Sequence, residues 1–154
     1  MLRRAIELIR VVVVSPEMAV VLLAVAVRIY FPAWLETIGN KLLSNEKLWE
    51  YVPLIPSGIL AFVVYLSFQL HAPVEETNRE LYDWESFWTL KSRILVSMTW
   101  ALAAAAAGIV TMVFSTNIQP ATLGQLLITA LLVSITVAAT DIMAFFILKE
   151  VMTK

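Results

Sequence analysis

The chain contains no cysteine, so it forms no disulfide and has no thiolate to act as a nucleophile or metal ligand. It has a single histidine, and neither HExxH nor GxSxG occurs in it. Only four glycines are present, and no glycine-rich phosphate loop is formed by them. These absences predict a protein that is not an enzyme and that uses neither a metal nor an organic cofactor.

Charged residues are also few, at 15% of the 154 residues, with a formal net charge of −1 at pH 7. No basic patch indicates a nucleic-acid partner. Hydrophobic residues make up 60% of the chain, above the roughly 45–50% of soluble domains, and the mean hydropathy is +0.84. Because a soluble chain of this length cannot bury so much apolar surface, we expect the lipid bilayer to be its main solvent.

Four apolar segments predict an all-α, polytopic integral membrane protein with four transmembrane helices. The last two segments are the most regular: Leu126 to Leu148 carries one charge, and Ile94 to Phe114 carries none. Both are long enough to cross about 30 Å of hydrocarbon. With their flanks, the predicted spans cover 16–31, 53–72, 93–115 and 122–148.

The first span is predicted to begin at Ser15-Pro16-Glu17. Ser15 would cap the helix, Pro16 would take its first position and Glu17 would meet the positive end of the helix dipole. The preceding residues, 1–14, have an amphipathic pattern. They form either a separate interfacial helix or the start of a longer first span that is kinked at Pro16.

The two longer loops also predict interfacial helices. In the 32–52 loop, Trp34, Ile38 and Leu42 recur at helical spacing. The 73–92 loop carries an acidic stripe and an apolar stripe. They predict a docking surface for a cytoplasmic partner, a solvated helix face, or an acidic region that concentrates cations at an inner pore mouth. The candidate docking residues are Glu76, Glu80, Asp83, Trp84 and Trp88.

Lysine and arginine are distributed unevenly over the predicted loops. Eight of the 11 fall in the N-terminus, the 73–92 loop region and the C-terminal tail, and three fall on the other side. The excess of positive charge on one side predicts that both termini are cytoplasmic, in a cell or inner membrane.

One carboxylate, Asp141, interrupts the last span. It lies about two turns, or roughly 10 Å, from the end of that span. Intramembrane ionisable residues are costly and are candidates for functional sites. Hydroxyl residues near it in the third and fourth spans extend the candidate site, which would be an ion or proton site, a gate, or a helix-packing contact. These residues are Ser97, Thr99, Ser134, Thr136 and Thr140.

Four charged residues near the ends of the spans are candidate partners of this site: Glu17, Arg28, Arg10 and Arg93. Glu17 is expected at the inner interface, with a proton-coupling role as the alternative. Arg28 is expected to extend to the lipid headgroups rather than to line a pore.

The third span contains Ala104-x-x-x-Gly108, a small-xxx-small pattern that lets helix backbones approach closely. Ala104 and Gly108 therefore predict a helix–helix interface, either within one subunit or between subunits.

Three hypotheses of function follow from these features. The first is a homo-oligomeric ion-conducting pore or channel, lined by the third or fourth span. The second is a non-catalytic anchoring or scaffold subunit of a larger membrane complex. The third is a small proton-coupled transporter that works as a dimer around Asp141 or Glu17. In each case the expected partners are lipid and further copies or other membrane subunits.

Overall fold

The computed structural model describes residues 13–45, 51–71 and 87–152. Nearly all of these residues are helical and none is in a strand, which confirms the all-α prediction for this part of the chain. The five helices of the described residues are α1 (Pro16–Tyr30), α2 (Pro32–Leu43), α3 (Leu54–His71), α4 (Phe87–Val113) and α5 (Pro120–Met152). Most of the predicted N-terminal amphipathic helix and of the 73–92 loop lies outside the described residues.

Helix α1 begins as its local sequence predicts. The side chain of Ser15 accepts a hydrogen bond from the Met18 backbone N–H at 3.2 Å, and Pro16 takes the first helical position. Ser15 therefore satisfies one of the N–H groups that a helix start leaves without a partner. The cap sets where α1 starts and so places Glu17 in its first turn.

Removing this cap should have a modest and specific cost. We expect Ser15→Ala to lower the free energy of unfolding by about 1 kcal/mol, because the Met18 N–H then loses its acceptor. Ser15→Thr retains the acceptor and is the matched control. Thermal unfolding in detergent micelles measures both variants, and equal melting temperatures for Ser15→Ala and the wild type would contradict the capping role.

Two of the helices are long and apolar enough to cross a membrane: Thr89–Val113 within α4 and Pro120–Phe146 within α5. Helices α1 and α2 together form a third candidate, although they are bent by 101° at the break between them, as in a broken span or a re-entrant loop. The apolar part of α3, Leu54–Phe68, is shorter. Large apolar side chains are exposed along all five helices, as expected of surfaces that lipid covers.

Contacts at both ends of α1 show that it runs antiparallel to α5. Near the end of α1, the Arg28 guanidinium donates a hydrogen bond to the Thr122 hydroxyl, near the start of α5, at 3.3 Å. At the other end, the Thr140 hydroxyl of α5 lies 3.3 Å from a carboxylate oxygen of Glu17. The N-terminal end of α1 and the later part of α5 therefore meet.

Helices α3, α4 and α5 enclose the main apolar core. Gly108, near the end of α4, is buried and faces Pro53 and Pro56 at the start of α3, so these two helices are also antiparallel. Ala104 is buried with the α3 side chain Val63 in the core, where small side chains let the helices approach closely. The buried members of this core are Val63, Ala101, Ala104, Ala130, Val133 and Val137.

Helix α2 packs across the start of α5 through two glycines. A Cβ atom added to Gly39 would lie 1.9 Å from the Pro120 carbonyl oxygen, and one added to Gly124 would lie 2.3 Å from the Leu35 carbonyl oxygen. The two backbones are therefore in direct contact. Trp34, which belongs to the stripe that the sequence suggested, is 53% exposed and is not part of the buried side of α2, which includes Leu35 and Gly39.

Candidate functional site

A buried ion pair joins α1 to α4. Glu17 is 0% exposed, and its Oε1 atom accepts a hydrogen bond from the Arg93 guanidinium. The Thr140 hydroxyl lies within hydrogen-bond distance of the same oxygen, at 3.3 Å, and of the Val137 carbonyl oxygen, at 3.0 Å. The sequence suggested that Glu17 lies at the interface. The structure shows that Glu17 is buried within the chain, because the start of α1 packs against α5 and Arg93 approaches from α4.

Asp141 lies in the same neighbourhood. Its side chain is beside Ser97 of α4, and it is close enough to Arg93 and Glu17 for their charges to act on its carboxylate. Asp141 is only 3% exposed, yet neither of its carboxylate oxygens has a hydrogen-bond partner among the described residues. We call Glu17, Arg93, Ser97, Thr140 and Asp141 the acidic cluster.

The charges of the acidic cluster do not balance. It contains two carboxylates, Glu17 and Asp141, and one guanidinium, Arg93. Arg93 is bonded to Glu17, so Asp141 has a charged neighbour but no direct ion pair in the described structure. Buried charges interact strongly and are costly when they are not compensated. With both carboxylates ionised the cluster carries a net charge of −1, which favours the uptake of one positive charge.

Two buried hydroxyl groups, one in the acidic cluster and one outside it, also lack partners. Ser97 and Ser134 are both 0% exposed, and the Oγ atom of each has no hydrogen-bond partner among the described residues. Ser134 precedes Asp141 by seven residues, so it lies on the same face of α5 and about 10 Å along the helix axis. Because buried polar groups are normally bonded, such hydroxyl groups indicate a place for a ligand, a proton or water.

The cluster lies near one end of the candidate membrane spans. Asp141 comes five residues before Phe146, the end of the apolar part of α5, which corresponds to about 7 Å along the helix axis. By the same measure Ser134 lies about 18 Å from that end. The acidic cluster and Ser134 thus lead from one end of the bundle toward its middle.

Two of the predicted hydroxyl residues do not join the cluster. Thr99 donates to the Leu95 carbonyl oxygen at 3.0 Å and Thr136 donates to the Leu132 carbonyl oxygen at 2.8 Å, so each is bonded to its own helix. At about 100° per residue, Thr136 points roughly 140° away from Asp141 around the helix axis. Of the candidate residues that the sequence suggested on the last span, Ser134, Thr140 and Asp141 therefore remain.

The other predicted partners lie elsewhere. Arg28 is half-buried at the opposite end of α1 and is bonded to Thr122, and its Nη1 atom is buried without a partner. Trp88 lies in the first turn of α4. The remaining candidates lie outside the described residues: Arg10, Glu76, Glu80, Asp83 and Trp84.

Metal coordination by several carboxylates is not evident. In the part of the chain that the structure describes, no group of three or more histidine, cysteine, aspartate or glutamate residues comes together. The acidic cluster supplies two carboxylates, and one of them is already held by Arg93. Sites for calcium usually have more oxygen ligands than this arrangement offers.

The chain matches no known protein-family model, no curated protein and no solved structure. Its function is therefore argued from the chemistry of the acidic cluster.

Proposed function

We propose that the chain is a four-span integral membrane protein that moves a cation across the membrane, with the acidic cluster as its ion site. The observation that carries this proposal is Asp141, whose carboxylate is buried in a membrane-spanning helix with no hydrogen-bond partner among the described residues. A carboxylate in this environment is costly unless a positive charge joins it. Intramembrane carboxylates with such an unmet requirement are typical of ion and proton pathways.

The burial of Asp141 and Ser134 favours an ion path within one chain. In a pore along the axis of a homo-oligomer, the polar lining would be exposed on the surface of an isolated subunit. Here both residues are buried in the chain itself, and two hydroxyl groups on the outer sides of α4 and α5, those of Thr99 and Thr136, bond to their own helices. We therefore place the proposed path between α1, α4 and α5.

The four-span arrangement rests on the order of the helices. Helix α1 is antiparallel to α5, and α3 is antiparallel to α4. All four helices can therefore cross the membrane, while α2 lies over the end of the bundle at which α5 begins. Helix α1 has 15 residues, or about 22 Å, which requires a thinned bilayer or polar flanks close to the surface. The positive-charge bias then puts the acidic cluster and both termini at the cytoplasmic side.

Single-cysteine labelling tests this topology, since the chain has no cysteine of its own. We expect Asn117→Cys, in the turn between α4 and α5, to react with a membrane-impermeant maleimide applied outside intact cells. Lys91→Cys, near the start of α4, should react only after permeabilisation. Both positions are exposed in the structure, so differences in reactivity report sidedness. The reverse pattern, or labelling of both from outside, would contradict the proposed topology.

Flux assays test the proposed ion site. We expect Asp141→Asn, which keeps the shape of the side chain but cannot carry its charge, to reduce cation flux in proteoliposomes to the level of protein-free vesicles. Thr136→Val is the matched control, because it alters a hydroxyl of the same helix that is bonded to its own backbone. Flux that is unchanged by Asp141→Asn would show that the buried carboxylate has no role in conduction.

The contacts that Glu17 makes within the cluster favour a second candidate function. The contacts of Glu17 with Arg93 and Thr140 tie three helices together within one chain, as a packing contact in a non-catalytic subunit would. Native mass spectrometry of the protein extracted with its neighbouring chains separates the two candidates. A stable mixed complex, together with absent cation flux from the purified chain, would favour the subunit role.

A further inference from the structure

We infer that the transported cation is a proton, that Asp141 is the residue that carries it, and that Ser97 and Ser134 relay it along the bundle. This inference rests on the proposed function, since it names the ion that the same site takes. It is carried by the geometry of the unpartnered oxygens and by the charges that surround them.

The charge balance selects a monovalent cation. Among the residues that the structure describes, the charged groups that act on Asp141 are Glu17 of α1 and Arg93 of α4. With Glu17 and Arg93 paired, a single positive charge on Asp141 brings the cluster to neutrality, whereas a divalent ion would leave it with an excess of positive charge. Neutrality is the low-energy state of a site in a medium of low dielectric constant.

The positions of the unpartnered oxygens select a proton over a metal ion. A metal cation needs several oxygens around one point. The unpartnered hydroxyl of Ser134 lies about 10 Å along α5 from Asp141, so these two groups cannot ligate the same ion. A proton needs only one carboxylate oxygen and requires no set of coordinating ligands.

The two carboxylates have different tasks in this proposal. Glu17 accepts from Arg93 through Oε1, with the Thr140 hydroxyl beside the same oxygen, so its carboxylate is held in a fixed ion pair. Neither oxygen of Asp141 is held in an ion pair, and the Ser97 hydroxyl lies beside this carboxylate. A hydronium ion that arrives from the cluster end gives its proton to an Asp141 oxygen and leaves as water. Loss of that proton to the next acceptor restores the carboxylate, so no atom is consumed in the cycle.

The hydroxyl groups supply the next acceptors. The Ser97 hydroxyl lies beside Asp141 and has no other partner, so it can accept the proton while donating its own onward. Ser134 is the next unpartnered hydroxyl on the same face of α5, and water between the two residues completes the relay. An apolar residue at position 134 would leave this step without a donor or acceptor.

The test measures proton and sodium fluxes separately in proteoliposomes that hold the full chain. Proton entry is followed with an enclosed pH-sensitive dye under a potassium–valinomycin potential, and sodium uptake with a radioactive tracer. We expect proton entry that does not depend on sodium, that is lost in Asp141→Asn and partly retained in Asp141→Glu. Ser97→Ala and Ser134→Ala should each slow proton entry by several-fold, whereas Thr136→Val should not.

The outcomes separate this inference from the proposed function. Sodium uptake without proton entry would overturn the proton assignment and leave cation transport standing. Proton entry that Asp141→Asn leaves unchanged would overturn the role of Asp141 as carrier. The absence of flux for either ion would overturn both. Thermal unfolding of each variant shows that it folds, and we expect Ser134→Ala to melt no lower than the wild type, because it removes a buried hydroxyl that has no partner.

Discussion

Replacing Arg93 with glutamine should destabilise the protein by about 3–5 kcal/mol, the usual cost of removing one partner from a buried ion pair. In the variant, the fully buried Glu17 would lose the guanidinium that pairs with it. Asp141, the second carboxylate of the cluster, would also lose the nearby positive charge of Arg93. The cost is raised further by the repulsion between the two carboxylates. Equilibrium unfolding in mixed detergent micelles measures the effect.

The reciprocal change, Glu17→Gln, should cost less than Arg93→Gln. With Glu17 neutral, Arg93 remains near Asp141 and can compensate its charge. The double variant should be more stable than the sum of the two single effects predicts, because it removes both members of the pair. Arg28→Gln is the matched control, since Arg28 is half-buried at the other end of α1 and has one hydrogen bond, to Thr122. Equal effects of Arg93→Gln and Glu17→Gln would contradict the unequal charge balance of the cluster.

Adding a single methyl group at Gly39 or Gly124 should have the other large effect. The new Cβ atom would lie 1.9 or 2.3 Å from a backbone carbonyl oxygen of the partner helix, and no change of rotamer relieves a contact with backbone. We expect Gly39→Ala and Gly124→Ala each to destabilise the protein by about 3 kcal/mol or more, toward the upper end of the costs of overpacking. Loss of the packing between α2 and α5 would also expose the buried side chains Leu35 and Leu42.

The two other glycines provide controls of the same chemistry. A Cβ atom at Gly58 would meet nothing within 4 Å, so Gly58→Ala should be neutral or stabilise α3 by about 0.5–1 kcal/mol. At Gly108 the nearest atoms would be 3.5–3.6 Å away, an ordinary contact, and Gly108→Ala should change stability little. Thermal unfolding of all four variants under one condition makes the comparison. Similar melting temperatures for Gly39→Ala and Gly58→Ala would contradict the close crossing of α2 and α5.

Features that depend on neighbouring residues could be predicted from the sequence. Ser15 caps α1 because its hydroxyl is three residues from the N–H that it accepts, and a local pattern is enough to recognise such a contact. The all-α class follows in the same way from long apolar segments. The odd position of Asp141 within an apolar run also pointed to the region of the candidate site before any contact was known.

Contacts between distant parts of the chain could not be predicted in this way. Glu17 and Arg93 are 76 residues apart, and neither helix carries a pattern that identifies the other as its partner. The partner of Gly39 is likewise set by how α2 folds back over α5. Helical periodicity, by contrast, could have separated Thr136 from Asp141, because residues five apart on a helix point to different sides.

A mixing experiment tests the central claim, that each chain holds its own proton path, most directly. Wild-type protein and Asp141→Asn are reconstituted together at varying ratios, with many copies per vesicle and constant total protein, and the rate of proton entry is measured. We predict a rate that falls in direct proportion to the fraction of wild-type chains, because each path depends on the Asp141 of one chain. A much steeper fall, in which a minority of variant chains abolishes most of the flux, would contradict the claim and indicate a pore that several chains share.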